Sequence, residues 1–264
     1  MLAEVVLTPS EGKRLIAKAI AHMEIVKLAR ENGTVIVATS TTNAYVLEEL
    51  LGKEIKEKGM FTAGVVTKDG LQITEAKGRG DHTVIQKGKV KTVKVPELGD
   101  ILKEMGPGDI FIKGANAIDP FGQAGILLGG IGGGTIGAAW GYLTSNGITT
   151  IIAAGLEKLV PINLSEAASR MGINKVDIAL DTKCGMMVVS GNIITEMEAF
   201  KELFGGPSLT SIEVIPIGGG GIDGAEGAKI LLLDGEDEAV KGAVEMVKSI
   251  RGEPKLTTRT IKQK

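Results

Sequence analysis

The 264-residue chain has few of the residues that mark secreted, metal-binding or nucleic-acid-binding proteins. Its one cysteine, Cys184, excludes an internal disulfide framework and favours a reducing, cytoplasmic location. Two histidines, His22 and His82, are too few for a His/Cys zinc cluster. Aromatic residues make up 3% of the chain and the net charge is −2, so neither base stacking nor bulk electrostatics indicates a nucleic-acid partner. No metal or cofactor is predicted.

Charged side chains are also absent between Asp119 and Glu157. A membrane-spanning helix needs about 20 predominantly apolar residues. Here the run is broken by Pro120, Gln123, many glycines and the segment 145–147, so no membrane partner is expected. A parallel sheet covered on both faces lacks charge for the same reason, because its strands are buried. Glu4 interrupts any N-terminal signal pattern, so no secretory leader is predicted.

A glycine-rich loop lies inside this uncharged run, between an apolar strand and a helix of small residues. Unpaired backbone N–H groups and the positive end of the helix dipole are features that bind anions. Glycines also serve simply to pack a helix closely against a sheet, and the sequence leaves both interpretations open. The predicted ligand-binding residues of this loop are Gly129, Gly130, Gly132, Gly133, Gly134 and Thr135.

A second candidate site follows the apolar strand predicted at residues 34–38. A hydroxyl-rich turn at 39–43 leads into a helix, which is the layout that α/β folds use to bind ligands at the carboxyl ends of strands. Hydroxyls and backbone N–H groups there would suit an anion. The candidate residues of the turn are Thr39, Ser40, Thr41, Thr42 and Asn43.

The periodicity predicts an α/β fold with a doubly wound, mainly parallel sheet over residues 1–182. Strands at 34–38, 61–66, 110–112 and 149–154 are expected in that one sheet, and the basic segment 70–95 is expected to be an exposed hairpin. From 183 to 264 the order strand-helix-strand-strand-helix-strand, with a last strand near 255–261, predicts a separate ferredoxin-like α+β domain.

Three segments resemble type A ribose-5-phosphate isomerases, in the superfamily that includes glucosamine-phosphate isomerases and coenzyme A transferases. DIFIKGANAIDP at 109–120 resembles their D-x-x-I-D-G-A-D-E-V-D-P segment. ATSTTNAYVLEELLG at 38–52 resembles their phosphate-binding G-T-G-S-T-A turn, and IIAAGLEKLV at 151–160 resembles their I-V-I-A-D-E-S-K-L-V strand. The resemblance covers about half the chain and implies the shared fold and an anion pocket.

The chain departs from that family at the positions that carry its chemistry. Lys113 and Asn116 replace the two aspartates of the family motif, Gly114 and Asp119 are retained, and an apolar residue near Leu128 replaces the lysine before the glycine-rich loop. No acidic residue follows until Glu157, so the family's glutamate base is missing. Isomerisation of ribose 5-phosphate is therefore not expected. Lys113, Gly114, Asn116 and Asp119 are predicted as ligand-binding residues, and Lys113 and Asp119 are also candidates for catalysis.

Several residues have two interpretations. Lys113 is a ligand-binding or surface lysine, or a nucleophile if burial depresses its pKa. Cys184 is a buried inert thiol, or a thiolate favoured by the neighbouring Lys183. His82 is an inert exposed histidine, or a catalytic one with a partner nearby. The run Gly218–Gly221, before Asp223 and Glu226, is a flexible loop or an anion or metal turn.

The leading hypothesis is a cytoplasmic homo-oligomer that binds a small phosphorylated or carboxylated metabolite in an isomerase-like pocket, with or without a diverged catalytic activity. The alternative is a non-catalytic regulatory or assembly module on the same scaffold, as in the initiation-factor subunits of that superfamily. An enzyme should gather titratable groups with shifted pKa in one cleft, whereas an interaction module should expose an apolar patch.

Overall fold

A computed structural model describes residues 1–261, which form a mixed α/β structure. Eight helices lie within this range: α1 (Pro9–His22), α2 (Glu24–Asn32), α3 (Thr41–Leu51), α4 (Val95–Glu104), α5 (Gly134–Ser145), α6 (Leu164–Arg170), α7 (Glu196–Phe204) and α8 (Asp237–Ile250). In these residues, no helix is long and apolar enough to cross a bilayer.

The central element is a six-stranded sheet in which four strands are parallel and two are antiparallel. Its strands are, in spatial order, β12 (Asn192–Ile194), β10 (Thr149–Ala153), β7 (Ile110–Gly114), β2 (Thr34–Val37), β5 (His82–Gln86) and β6 (Lys89–Val93). Strands β2, β7 and β10 read as continuous apolar runs because the sheet buries both of their faces. The parallel pairing predicted for these three segments is confirmed.

The predicted strand at 61–66 lies outside this sheet. Residues 58–60 form a short 3-10 turn, Phe61 is buried beside it, and the strand begins only at β3 (Gly64–Thr67), which forms a two-stranded hairpin with β4 (Gly70–Ile73). The edge of β2 is already paired with β5 along its whole length. No free edge of β2 therefore remains for β3 to join.

The basic segment is only partly the exposed hairpin that the sequence predicts. Strand β5 is buried and pairs antiparallel with β2, so half of the segment belongs to the central sheet. Strand β6 forms the edge, where Lys89 and Lys91 are exposed. Lysines on an edge strand oppose pairing with another chain.

The four parallel strands follow one another across the sheet in chain order, from β2 to β7, β10 and β12. A doubly wound sheet reverses direction at a switch point between its parallel strands. This sheet does not reverse among them, so the α/β class is confirmed and the doubly wound arrangement is not.

The ferredoxin-like sheet predicted for the C-terminal part does not form. Strand β12 joins the central sheet, and β11 (Gly185–Val189) pairs with β9 (Ala124–Leu128), which in turn pairs with β8 (Ala117–Ile118). The last predicted strand, 255–261, contributes only an isolated bridge between Thr74 and Thr260. Strands therefore pair across the boundary predicted at 182/183.

A second antiparallel sheet joins the N-terminal strand to two strands from the C-terminal part of the chain. The N-terminal strand β1 (Leu2–Leu7) pairs with β14 (Ala228–Gly235), and β14 pairs with β13 (Ile212–Gly220). The sequence predicts a strand near 255–261 as the further strand of the C-terminal sheet. Strand β1 pairs there instead, and its alternating Val5 and Leu7 supply the apolar face. Gly218, Gly219 and Gly220 pair with β14, so they are strand residues rather than a flexible loop.

Helix α1 begins at a capping box, in which Thr8 accepts from the Glu11 N–H while the Glu11 carboxylate accepts from the Thr8 N–H. The chain leaves the helix at Met23, whose ψ of 129° is extended, before α2 begins. Helix α1 packs against α3 and α7. It thereby carries Gly12 and Lys13 to the start of α7.

The pairing of β1 with β14 makes a matched prediction. Leu7 is 2% exposed and Val6 is 40% exposed on the opposite face. Leu7→Ala should lower the free energy of unfolding by about 2–5 kcal/mol through the cavity it leaves, whereas Val6→Ala should change it by about 0.5 kcal/mol or less. Urea denaturation measures both. Equal effects of the two substitutions would contradict the assignment of β1 to this sheet.

Candidate functional site

The carboxyl ends of the four parallel strands lie at one edge of the central sheet. Val37 is level with Ile112, Gly114 with Ala153, and Ala153 with Ile194. The residues that end or follow these strands carry the titratable side chains of the site: Lys113 in β7, Glu157 and Lys158 after β10, and Glu196 after β12. Sheet register, rather than sequence proximity, assembles them.

The predicted hydroxyl turn holds the end of β2 in place. Ser40 caps α3 by accepting a hydrogen bond from the Asn43 N–H. The buried Asn43 amide donates to the carbonyl oxygens of Ala38 (2.6 Å) and Ile112 (3.0 Å), tying β2 to β7. A Cβ on Gly114 would overlap Ser40, so glycine is required where the turn crosses β7. Thr41 begins α3 and Thr42 is buried, which gives most of this turn a structural role.

His82 links the hydroxyl turn to the glycine-rich loop. Its Nδ1 accepts a hydrogen bond from the Thr39 N–H at 3.0 Å, and its Nε2 lies 3.1 Å from the Thr135 hydroxyl. A ring nitrogen that accepts from an amide carries no proton, so the proton resides on Nε2 and is donated to Thr135. The histidine is buried, contrary to the exposed residue expected from the sequence. His82 therefore brings together Thr39 and Thr135, which are both predicted site residues.

Burial, together with the positive charge of Lys113, lowers the pKa of His82 to about 4. The imidazole is therefore neutral at physiological pH. A neutral His82 leaves the cationic character of this edge to the lysines alone.

Lys113 and Lys158 form the cationic part of the site. Each side chain keeps some contact with solvent, but the surrounding protein removes enough water from the ammonium groups to lower the pKa of both lysines to about 8. At Lys113, the charge of Lys158 contributes to this lowering. Lys113 Nζ donates only to the Gly114 carbonyl, at 3.3 Å, and neither ammonium forms an ion pair with a carboxylate of residues 1–261 within 4.0 Å.

Two carboxyl groups lie next to Lys158. Glu157 forms an ion pair with Lys13 of α1, with 2.8 Å between Oε1 and Nζ. Burial by itself would raise the pKa of Glu157, but the charges of Lys13 and Lys158 outweigh it and hold the pKa below its usual value. Glu196 is 2% exposed. Burial, together with the charge of Glu157, raises the pKa of Glu196 to about 7.

The glycine-rich loop leads into α5 without a side-chain cap. Gly132, Gly133 and Gly134 have φ of 78°, 76° and 55°, values that side chains rarely adopt, so the loop requires glycine at these three positions. Gly129 and Gly130 are exposed, and the Ile131 side chain is fully exposed. Through Thr135, the start of α5 reaches His82 and hence the edge of the sheet.

Two predicted site residues are committed elsewhere. The Asp119 carboxylate is buried and accepts hydrogen bonds from the N–H groups of Phe121, Gln123 and Leu164, at 2.9–3.0 Å. Asn116 accepts from the Leu127 N–H and is exposed. Asp119 therefore stabilises the turn between β8 and β9, and its donors leave it no geometry suited to a catalytic acid or base. The sequence interpretation of Asp119 as a catalytic candidate is not supported.

Cys184 also lacks the features of a reactive thiol. Burial raises the pKa of its thiol, which disfavours the thiolate, and the Lys183 ammonium donates instead to the Asp177 carbonyl. Two surface depressions, of about 240 and 290 Å³, lie at residues 56–59 with 254–259 and around Arg14 and Glu48. Both lie away from the sheet edge, and the second is lined by ion pairs of Arg14.

Comparison with known proteins assigns no family. No protein-family model matches the chain, and no curated protein sequence matches it.

Sequence inspection missed Lys13 and Glu196 as members of the site. Lys13 lies in α1 and Glu196 is the first residue of α7, separated by more than 180 positions. The available signal was the apolar strand that ends just before Glu196, because a polar residue at a strand's carboxyl end is a site candidate in a parallel sheet. No strand was predicted at 192–194 from the sequence, so Glu196 was not placed at the end of a sheet strand.

The His82 contacts make a spectroscopic prediction. With a pKa of about 4, the ring should stay neutral, with its proton on Nε2, as the pH falls from neutral to about 5. Nitrogen-15 NMR of labelled histidine measures this, and the exposed His22 serves as the internal reference. A protonated His82 ring at mildly acidic pH would rule out the buried bridge between Thr39 and Thr135.

Proposed function

We propose that the protein binds a small phosphorylated or carboxylated metabolite at the sheet edge, between Lys113 and Lys158. The supporting observation is a pair of partly desolvated ammonium groups, each with a lowered pKa, that form no ion pair within 4.0 Å in the described chain. The charges of Glu157 and Glu196 offset only part of this lowering at Lys158. Holding two such charges in partly desolvated positions is unfavourable. An anion placed between them removes this repulsion and replaces the water they have lost.

Neighbouring groups suit the same ligand. The exposed glycines before α5 and the uncapped N-terminus of that helix present backbone N–H groups on the side of the site that Thr135 occupies. Because His82 is neutral, the positive charge of the site comes from the lysines. The resemblance to type A ribose-5-phosphate isomerases supports the proposal, because its phosphate turn aligns with residues 38–43 and Thr39 is the residue that contacts His82.

A reaction is also compatible with this site. Groups with pKa near neutrality in a desolvated cluster are typical of acid–base catalysis. This chain lacks the family's glutamate base, but the carboxyl groups of Glu157 and Glu196 lie beside Lys158. We therefore extend the proposal to a diverged enzyme of sugar-phosphate or related anionic metabolites.

A second candidate is a regulatory or assembly module, favoured by exposed apolar side chains outside the site. Ile178 and Leu180 are 85% and 99% exposed. On that alternative, these residues contact a partner protein or a second copy of the chain. Replacing both with aspartate should then change the mass measured by light scattering and leave anion binding intact.

A thermal-shift screen tests the binding proposal directly. Candidate anions are inorganic phosphate, sugar phosphates, nucleotides and acyl-coenzyme A thioesters, because binding to the native state raises its stability by about 2.7 kcal/mol at a concentration of roughly 100 times Kd. At least one of them should raise the midpoint of unfolding. Failure of every anion to do so would count against the site.

Removing one ammonium group gives the sharper prediction. Lys113→Met should weaken the anion identified in the screen by about ten- to a hundredfold, since a charge-assisted hydrogen bond contributes about 1.5–3 kcal/mol and a tenfold change is about 1.4 kcal/mol. Isothermal titration calorimetry measures the change. Lys89→Met on the exposed edge strand β6 removes the same charge and serves as the control. Equal weakening in both variants would indicate only a general effect of net charge.

The lowered lysine pKa values predict the pH dependence of binding. An anion prefers the charged ammonium groups, and both lysines lose their protons near pH 8 in the free protein. Sulfate affinity should therefore be greatest below about pH 8 and fall as the pH rises through it. In Lys113→Met this fall should become shallower, because one of the two titrating groups is gone. Sulfate affinity that is constant across this range would contradict the assignment.

A further inference from the structure

The two carboxyl groups beside Lys158 have an unusual hydrogen-bonding arrangement. Glu157 Oε1 accepts from Lys13, but Glu157 Oε2 is fully buried and has no hydrogen-bond donor among residues 1–261. Glu196 Oε2 accepts from the Leu156 N–H at 2.8 Å. A buried oxygen without a donor is costly, so the orphan on Glu157 calls for an explanation.

The position of Gly155 shows that the two carboxyl groups approach one another. A Cβ added to Gly155 would overlap Glu157 Oε2 and would lie 2.9 Å from Glu196 Oε1. A Cβ on Gly12 of α1 would overlap Glu196 Oε1 as well. The absence of side chains at Gly12 and Gly155 thus makes room for both oxygens around one small volume.

Two ionised carboxylates in such a volume would repel each other, whereas one proton between them supplies the missing donor. We propose that Glu157 and Glu196 share one proton at neutral pH and together act as the acid–base group of the anion site. The second half of this statement rests on the proposed function. The first half rests on the geometry of the pair alone.

The charges around the pair decide where the proton resides. Lys13 from α1 and Lys158 from the turn after β10 face the pair, and Lys113 of β7 lies beyond Lys158. The ion pair with Lys13 favours the ionised form of Glu157. The proton therefore resides on Glu196, whose Oε1 lies beside Gly155, as the orphan oxygen does, and whose pKa is raised.

Binding of an anion should change the proton affinity of the pair. An anion at Lys158 adds negative charge near Glu157 and Glu196 and partly neutralises the ammonium that stabilises their ionised forms. The pair then holds its proton to higher pH, so the protein takes up protons from solvent as the anion binds. The site thus couples occupancy by an anion to a proton that it can donate or accept.

Carbon-13 NMR of protein labelled at the glutamate carboxyl carbons tests the shared proton. In wild type, one glutamate should titrate near pH 7, and Glu196→Gln should abolish that titration. Glu157→Gln should move it to lower pH, because a repelling charge is removed. Glu166→Gln on the exposed face of α6 removes one carboxylate elsewhere and should leave it unchanged. A wild-type protein in which no glutamate titrates near neutral pH would overturn the shared proton.

The variants remain interpretable because glutamine mimics a protonated glutamate. Its amide oxygen can accept from the Leu156 N–H while its amide N–H donates to Glu157 Oε2. Glu196→Gln should therefore fold, and its stability should vary less with pH in the neutral range than that of wild type. If it failed to fold, the wild-type titration and Glu157→Gln would still decide whether a proton is shared.

Inorganic sulfate tests the link to the anion site, because sulfate does not itself titrate near neutral pH. Adding saturating sulfate should move the glutamate titration to higher pH. The protein should then take up protons, so the pH of a weakly buffered solution near pH 7 should rise. Sulfate that binds without moving the titration would overturn the role of the pair as the acid–base group. Sulfate that does not bind at all would count against the anion site, while a neutral titration in sulfate-free protein would still support the shared proton.

Discussion

The parallel pairing of β12, β10, β7 and β2 is the constraint on which the rest of the site depends. Parallel strands place their carboxyl ends at one edge, and here four successive strands each end in a polar or titratable residue close to that edge. The uncharged, apolar character of these strands is what makes the pairing stable, since both faces are buried. The charged side chains therefore lie close together at the edge of the sheet.

The concentration of charge has an electrostatic cost that the fold offsets locally. Lys13 neutralises Glu157, the Leu156 N–H supports Glu196, and the neutral state of His82 avoids adding a third cation beside Lys113. Lys113 donates only to the Gly114 carbonyl, and the charges of Glu157 and Glu196 only partly offset the desolvation of Lys158. The cluster therefore stabilises its carboxylates more fully than its lysines, and this imbalance is the basis of the proposed anion site.

Close approach explains the glycines that flank the site. Gly114 allows Ser40 to cross β7, and Gly12 and Gly155 leave room for the carboxyl groups. None of these three glycines has the positive φ that Gly132, Gly133 and Gly134 adopt. The glycine-rich appearance of the chain therefore has two physical origins, backbone geometry in one loop and steric clearance around the charged cluster.

The second sheet positions α1 for its part in the site. Strand β1 pairs with β14, and α1 follows it directly, packed against α7. Lys13 and Gly12 reach the start of α7 because this sheet joins the N-terminal strand to the C-terminal part of the chain. The N-terminal residues thus contribute to a site that is otherwise built from the middle and the C-terminal part of the chain.

The sequence alone determined the α/β class, the strands β2, β7 and β10, the start of α1 and the edge location of Thr39, Lys113 and Thr135. These features follow from local periodicity, capping residues and apolar runs. Only the tertiary structure decided that β12 extends the central sheet, that β1 completes the second sheet, and that Asp119 serves a turn. Pairing partners depend on which strand edges remain free, as the occupied edge of β2 shows for β3. Lys13, His82 and Glu196 meet the predicted residues through contacts between distant segments, and the burial that shifts their protonation arises only when those segments pack together.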